Sequence, residues 1–375
     1  MTLDLDFLKP LYSVRGPFAS VTLEAGREAG DAEHAVRLRW RGVRSELRAA
    51  GADEDTLRAL DCAVATPPAE GGAQGQVAVA AGGELLLDEY FHAHPGTSTA
   101  TWGKLPEVLP LLRSMRTQLP CLVVNVDAAG ADIQIRGRSD VVDTAVEGDT
   151  HPLHKVRGGG WSHRRIHQRV ENVTQHNAKV VVDRVAELVK TVAAEVVVLA
   201  GDPQAKANFH AVAPPGVQEL LVELDVGSRH RGARPVDEEV DEVLAARAAA
   251  DDAGRLEAFR EQLGQGERAA AGLDATVGCL RKAQVDTVLL EDDGAVERLP
   301  ALWMGDDIHL LARDAAALAE MGATDQVEVP ATAALVGAAA TTDADLAFVE
   351  PGSIGHRDGV AALLRYSHDP AQAHG

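Results

Sequence analysis

The stretch of sequence that decides the fold is GGGWSHRRIHQRVENVTQHNAKVVVDRVAELVKTVAAEVVVLA, residues 158–200. After three glycines, apolar residues recur at helical spacing and predict a long helix from Ser162 to about Val192. An uninterrupted apolar run, Glu195–Ala200, then has the composition of a buried parallel strand. A glycine-rich loop, a long helix and a parallel strand in this order predict an α/β fold.

Strand patterns on either side extend this unit into a middle domain, residues 119–252. Cys121–Asp127 and Ala131–Arg136 flank a short turn and predict a strand hairpin. We expect a long polar loop between this hairpin and Gly160. The expected elements beyond the parallel strand are a strand, Gln218–Val226, and a helix, Val236–Ala250. The acids at the N-terminal end of this helix interact favourably with its dipole.

The flanking regions also mix strands and helices, so we expect three α/β domains with bounds 1–118, 119–252 and 253–375. For the first domain the patterns predict a strand (Phe18–Leu23), a helix (Glu33–Ala50) and a hairpin (Gln76–Ala80 with Glu84–Tyr90). For the last domain they predict strands at Val285–Glu291, Ile308–Ala312, Gln326–Val329 and Leu346–Glu350, and helices at Asp314–Met321 and Thr332–Ala340.

Composition excludes several classes of protein. A formal net charge of −21 argues against non-specific coating of nucleic acid, because such binding requires cations that neutralise phosphates. Three widely separated cysteines encode neither a disulfide framework nor a cysteine zinc site. The nearly apolar run Ala331–Ala340 is too short to cross a bilayer, and MTLDLDFLKP carries acids where a secretory signal carries Lys or Arg. We therefore expect a cytoplasmic protein without membrane contact.

A basic island interrupts this acidic chain, since no acid occurs between Asp149 and Glu171. Consecutive glycines allow close approach to another backbone, the following helix N-terminus offers free amides to a phosphate, and a Trp can stack on a nucleobase. The alternative is a flexible basic loop whose Trp packs on its own domain. The candidate RNA-contacting residues are Lys155, Arg157, Gly158, Gly159, Gly160, Trp161, Ser162, His163, Arg164, Arg165 and Arg169, and the polar stripe continues with His176 and Lys179.

Two further basic clusters have structural alternatives. Arg229 and Arg231, in the stretch 228–234, are candidate rRNA contacts, but pairing with the acids of 237–242 explains them equally well. The first-domain helix carries a row of arginines that forms either a solvated face or an RNA contact: Arg37, Arg41, Arg44 and Arg48.

The sequence offers little catalytic chemistry. His151 and His154 have a His-x-x-His spacing without the glutamate or cysteines of a zinc site, so we expect no metal. The glycine triplet lacks the Gly-Lys-Ser/Thr ending of a phosphate-binding loop, and no Gly-x-Ser-x-Gly elbow occurs. We expect no cofactor.

Gly159-Gly160-Trp161-Ser162, running into the long helix, resembles the middle domain of the archaeal and eukaryotic release-factor and Pelota superfamily, where a Gly-Gly-Gln loop precedes a long basic helix. From GPFASVTLE (16–24) to DGVAALLRY (358–366), the chain resembles the actinobacterial members of the superfamily's bacterial branch, a group related to the hibernation factor Balon. The resemblance implies ribosome binding. It also implies a last domain of ribosomal-protein-like α/β fold that docks elongation factor Tu or another translational GTPase.

One departure from the superfamily bears on mechanism. The loop glutamine of release factors positions the hydrolytic water, and Trp161 stands at that position. Indole has one N–H donor and no acceptor, so we expect no peptidyl-tRNA hydrolysis. The first domain also lacks the Asn-Ile-Lys-Ser stretch that release factors use to read stop codons. The resemblance thus implies a non-catalytic hibernation or stress factor that places its Gly-Gly-Trp loop toward the peptidyl-transferase centre and occupies the tRNA site.

Two alternatives stay open. The first is a rescue or release factor with an altered loop. The second is a small-molecule hydrolase on a release-factor-like scaffold, with His151, His154 or His163 as its base.

Overall fold

The computed structural model describes residues 2–25, 32–65, 75–91, 96–116, 119–136, 141–147, 161–224, 234–292 and 296–366. Contacts divide the chain into two compact units. The first unit combines Met1–Arg116 with Ala248–Gly375, and the middle unit is Thr117–Arg247. Both mix helices with β-sheets, which confirms the prediction of an α/β fold.

The strands of the described residues are short to medium in length. In chain order they are β1 (Thr2–Leu3), β2 (Phe18–Glu24), β3 (Gly75–Ala81), β4 (Glu84–Phe91), β5 (Thr99–Gly103), β6 (Cys121–Val126), β7 (Gly130–Arg136), β8 (Val141–Glu147), β9 (Val196–Gly201), β10 (Leu221–Glu223), β11 (Ala269–Ala271), β12 (Val285–Glu291), β13 (Leu302–Met304), β14 (Leu311–Ala312), β15 (Val327–Val329), β16 (Asp345–Val349) and β17 (Val360–Leu364).

Two of the helices are much longer than the others. In chain order the helices are α1 (Lys9–Tyr12), α2 (Ala32–Ala49), α3 (Glu54–Ala65), α4 (Leu109–Met115), α5 (Trp161–Thr191), α6 (Pro203–Val212), α7 (Pro215–Gln218), α8 (Arg234–Gln265), α9 (Leu273–Arg281), α10 (Ala315–Glu320) and α11 (Ala331–Thr341), with 3-10 turns at Asp6–Leu8 and Val296–Arg298. No described helix is both long and apolar enough to span a bilayer.

The middle unit is built on one five-stranded sheet in the order β10-β9-β6-β7-β8. β10, β9 and β6 run parallel, and β7 and β8 complete the sheet antiparallel. The buried face of α5 packs Val181, Val185 and Leu188 into a core with Leu122 and Leu199. The predicted hairpin, long helix and parallel strand are therefore confirmed.

Two predictions in the middle unit were wrong. Part of the expected polar loop is strand β8, whose sequence VVDTAVE contains β-branched residues and whose backbone pairs with β7 along its whole length. The expected strand Gln218–Val226 shrinks to β10, because Pro214 and Pro215 favour a helical start and place Gln218 in α7. The Gln218 amide then donates to Ala213 O at 2.9 Å, which closes this turn locally.

The N-terminal part of the first unit is an antiparallel sheet in the order β4-β3-β2-β5. The predicted hairpin, strand and helix are confirmed. The predicted apolar stripe of α2 is buried in the core beneath this sheet; it comprises Val36, Trp40, Val43 and Leu47.

The rest of the first unit explains why the chain's two ends belong together. Its main sheet has the order β1-β16-β12-β17-β11, so the N-terminal strand pairs with a strand near the C-terminus. The Arg116 guanidinium, at the end of α4, bonds Asp252 at 3.0 Å and Asp292 at 3.2 Å. Whether 1–118 and 253–375 are separate domains within this unit stays a prediction.

Elements of the last predicted domain are mostly confirmed, with three differences in this domain or at its boundary with the middle domain. The predicted strand Ile308–Ala312 contains only Leu311 and Ala312, because residues before them form a turn. The helix expected to end at Ala250 continues to Gln265, where Phe259 is fully buried against Leu289. Strands β11, β13 and β17 had not been predicted.

Candidate functional site at the glycine-rich loop and long helix

Most predicted contact residues lie outside the described part of the chain or at its edge. The structure places the backbone of Trp161, Ser162, His163, Arg164, Arg165 and Arg169 in the first turns of α5, and describes nothing of their side chains. Outside the described residues lie Lys155, Arg157, Gly158, Gly159, Gly160, Arg229, Arg231, His151 and His154. Their roles therefore stay predictions, and the described geometry concerns the helix that carries the loop.

The helix α5 is fixed to the sheet by a buried amide. Asn177 is only 2% exposed, and its Nδ2 donates to the carbonyl of Ala128 at 3.1 Å, in the turn between β6 and β7. Asp127 shapes this turn, because its carboxylate accepts the amides of Ala129 and Gly130 at 2.7 and 2.9 Å. A polar bond inside an otherwise apolar interface sets the register of the helix against the sheet.

The anchored point leaves a long part of α5 on the N-terminal side. The helix begins at Trp161, so sixteen residues precede Asn177. At a rise of ~1.5 Å per residue they extend the helix by ~24 Å beyond its anchor. This N-terminal segment of α5, the helical arm, therefore follows directly on the glycine-rich stretch in sequence.

The solvent-facing side of this helix is mostly polar where it is described, with Val180 exposed among the polar residues. His176 and Lys179 are exposed, as the predicted polar stripe requires. Farther along, Arg184 bonds Glu187 at 2.7 Å, so its charge is neutralised locally. Lys190, in the last turn, is also exposed, so the described side chains do not concentrate positive charge at one end of the helix.

A small cleft lies beside the anchor, at the carboxyl ends of β6 and β9. Its volume is about 60 Å³, room for only a few water molecules. Asp202 borders it and also caps α6, where its carboxylate accepts the amides of Gln204 and Ala205 at 2.9 and 3.0 Å. The remaining polar lining residues are Asp127, Thr174, Asn177, Gln204 and Asn208.

Sequence reasoning did not single out this cleft, although one signal was present. Gly201-Asp202-Pro203 follows a buried strand and supplies a tight turn, an N-cap and a first-turn proline. Within the described part of the chain, no group of three or more His, Cys, Asp or Glu side chains is arranged to hold a metal.

The arginine row on α2 is largely used within its own unit. The Arg44 guanidinium bonds Asp61 at 2.9 Å and Glu54 at 3.1 Å, and Arg48 bonds Glu54 at 2.7 Å. Bonds from Arg48 and Arg44 hold the pKa of Glu54 below its ordinary value. Two of the four arginines thus have structural partners, whereas Arg37 and Arg41 are exposed.

The acids proposed as partners of the second basic cluster are also partly engaged. Asp241 forms an ion pair with Arg136 at 3.1 Å. Leu224 precedes this cluster by a few residues. The buried Lys206 donates to the Leu224 carbonyl oxygen at 2.7 Å and lies 3.3 Å from Glu223. These bonds fix the chain at Leu224, the last described residue before the cluster.

Comparison with known proteins identifies similarity to release-factor relatives. Residues 120–265 match the family model described as bacterial archaeo-eukaryotic release factor family 2. An uncharacterized protein of Mycobacterium tuberculosis, present in strains CDC 1551 / Oshkosh and H37Rv, is 27% identical over 372 residues, covering 96% of each chain. The crystal structure of Archaeoglobus fulgidus Pelota has 17% identity and a TM-score of 0.33, covering 78% of this chain and 79% of Pelota. A model of ribosome-bound archaeal Pelota has 14% identity and a TM-score of 0.44, covering 98% and 96%.

The family match includes the hairpin, α5, β9 and α8. These include the elements whose sequence carries the resemblance to the release-factor superfamily, and the match supports that resemblance over this segment. Membership of the actinobacterial group related to Balon stays a prediction.

Proposed function

We propose that this protein is a cytoplasmic ribosome-binding factor that uses the glycine-rich loop before α5 as its contact element. The observation that carries the proposal is the helical arm, which begins at Trp161 directly after a basic glycine-rich loop and is anchored at Asn177. Its match to a release-factor family model over 120–265 supports a role in translation. An arm of this kind can carry a loop into a narrow RNA-walled channel while the sheet stays outside it.

The proposed mode of action is occupancy without hydrolysis. Five positive side chains between residues 155 and 169 would neutralise rRNA phosphates, and this local charge is needed because the chain as a whole is acidic. Trp161 would stack on a base or fill the space that an aminoacyl end otherwise takes. A hibernation or stress factor needs no more than this. Delivery by elongation factor Tu or another translational GTPase, through the C-terminal segment, belongs to the same proposal.

Binding to vacant ribosomes tests the contact element. We expect the protein to co-sediment with ribosomes at low salt and to lose affinity steeply as salt rises. Arg164→Glu/Arg165→Glu should weaken binding at least tenfold and reduce the slope of log affinity against log salt by about two, since each phosphate contact contributes about one. The matched control is Arg37→Glu/Arg41→Glu, which reverses two exposed charges on α2 and should bind like the wild type. Equal losses in both variants would show that binding depends on net charge and would contradict the proposal.

A peptide-release assay separates occupancy from catalysis. On programmed ribosomes carrying peptidyl-tRNA, the wild-type protein should leave the ester intact, because indole cannot orient water as an amide does. Release that depends on Trp161 would overturn the non-catalytic proposal and favour the altered rescue or release factor. Ester hydrolysis of small substrates without ribosomes would instead favour the hydrolase.

A further inference from the structure

The first unit contains a cavity of about 420 Å³ that the proposed function does not use. Its walls come from two distant parts of the chain, residues 12–18 with 104–105 on one side and residues 304–308 with 325–327 on the other. The volume falls in the range of small-molecule pockets, ~300–1,000 Å³. Part of the lining is apolar, including Phe18, Met304 and Ile308.

The two walls differ in charge. The N-terminal wall contributes Arg15 and Lys104, both exposed and without an ion pair within the described residues. The C-terminal wall contributes three carboxylates, Asp306, Asp307 and Asp325. Charges of opposite sign that line one cavity without pairing are available to a ligand that brings both signs.

Two of the three carboxylates, Asp306 and Asp307, are held in place by backbone donors. Asp306 accepts the amides of Thr324 at 3.1 Å and Asp325 at 3.0 Å, and these bonds lower its pKa. Asp307 accepts the amide of His309 at 2.9 Å. The Thr324 hydroxyl also donates to both Asp306 oxygens, at 3.1 and 3.3 Å, so Asp306 is satisfied locally and Asp307 is the freer ordered acceptor.

Tyr12 adds a polar group that lacks a partner. Its hydroxyl is buried and has no hydrogen-bond partner within the described residues, although the residue lines the cavity. Burial raises the pKa of Tyr12, so the hydroxyl keeps its proton. The ring is packed tightly on α11, since a Cβ added at Gly337 would lie 2.7 Å from Tyr12 Cε1. The hydroxyl has almost no accessible surface, so it lies behind the cavity wall and is not a ligand contact.

We propose that this cavity binds a small basic zwitterion of the size of an α-amino acid, with its carboxylate toward Arg15 and Lys104 and its cationic groups toward the three aspartates. The charge balance selects this class, because two cations face three carboxylates and a ligand with one anionic and two cationic groups complements both walls. A phosphate-bearing ligand would meet three carboxylates and is disfavoured. The methylene groups of such a ligand would lie along Phe18 and Ile308.

Calorimetric titration of the full chain with L-arginine and L-lysine tests this site. We expect saturable binding below ~10 mM, and at least tenfold weaker binding of agmatine, which lacks the carboxylate. Arg15→Gln and Asp307→Asn should each weaken L-arginine binding about tenfold, whereas Tyr12→Phe should bind like the wild type because its hydroxyl is inaccessible from the cavity. The matched control is Arg37→Gln, which removes an exposed cation of α2 that does not line the cavity. This variant should bind like the wild type.

Circular dichroism should show that each variant keeps the wild-type fold. The absence of saturable heat with both amino acids would overturn the proposal. Equal affinities for agmatine and L-arginine, or equal losses in Arg15→Gln and the control, would also overturn it. Ribosome binding needs none of these residues, so failure here leaves the proposed function untouched, and failure there leaves this site untouched.

Discussion

Gly201→Ala should be among the most destabilising single substitutions in the middle unit, lowering the free energy of unfolding by roughly 3–5 kcal/mol. Gly201 ends β9 with a φ of +117°, a backbone conformation in which any residue with a side chain is strained. A Cβ at this position would lie 2.1 Å from the carbonyl oxygen and 2.8 Å from the amide nitrogen of Val126. Both atoms belong to the paired backbone of β6, so neither can move without breaking the parallel ladder.

Gly216→Ala provides the matched control for this substitution. Gly216 lies in the same unit, in α7, and an added Cβ meets no atom within 4 Å. Its effect should stay within about 1 kcal/mol and favour the helix. Urea unfolding followed by circular dichroism measures both variants, and the m-value should stay constant. Similar midpoints for the two variants would contradict the prediction, because they would show that the backbone of β6 and β9 accommodates the added methyl group without loss of stability.

The central part of the fold could be predicted because its signals are local. The apolar spacing that places Val181 and Leu188 on one side of α5 is a property of the helix alone. The run Val196–Ala200 is apolar at every position because both faces of a central parallel strand are covered. The hairpin of β6 and β7 joins strands that are neighbours in sequence.

Elements that depend on distant partners escaped prediction. β1 is two residues long and exists because Thr2 and Leu3 pair with Ala347 and Leu346. Strand β17 lacks alternation and lies buried between β12 and β11. Helix α3 differs, because a local signal for its start was present in the sequence. Asp53 is an N-cap residue, and its carboxylate accepts the amide of Thr56 at 2.8 Å. That signal was overlooked.

The candidate site divides along the same line. The basic island is contiguous in sequence, so its overlap with the start of α5 could be predicted. The anchor between Asn177 and Ala128 could not, because nothing in either residue indicates that they meet. The cavity of the first unit joins Tyr12 to Val327 and is a product of tertiary packing alone.

Glu107 should give the first unit a stability that falls as pH rises from about 4.5 to about 7. Burial raises the pKa of this carboxyl from 4.5 to about 7 in the folded protein. Within that interval the folded state binds more protons than the unfolded state, so the free energy of unfolding decreases with pH and levels off above it. The full decrease is at most ~3 kcal/mol, since one pKa unit corresponds to ~1.4 kcal/mol.

Glu107→Gln should remove this contribution, because a neutral amide carries no charge to desolvate. The variant should match the wild type near pH 4.5 and exceed its stability by up to ~3 kcal/mol at pH 8. Other carboxyls with raised pKa, such as Asp88 and Asp345, titrate equally in both proteins and cancel in the difference. Glu46→Gln removes one negative charge from an exposed position on α2 and serves as the control. Unfolding curves measured across this pH range should diverge for Glu107→Gln alone; a constant offset at every pH would show that Glu107 titrates near its ordinary value in the folded chain.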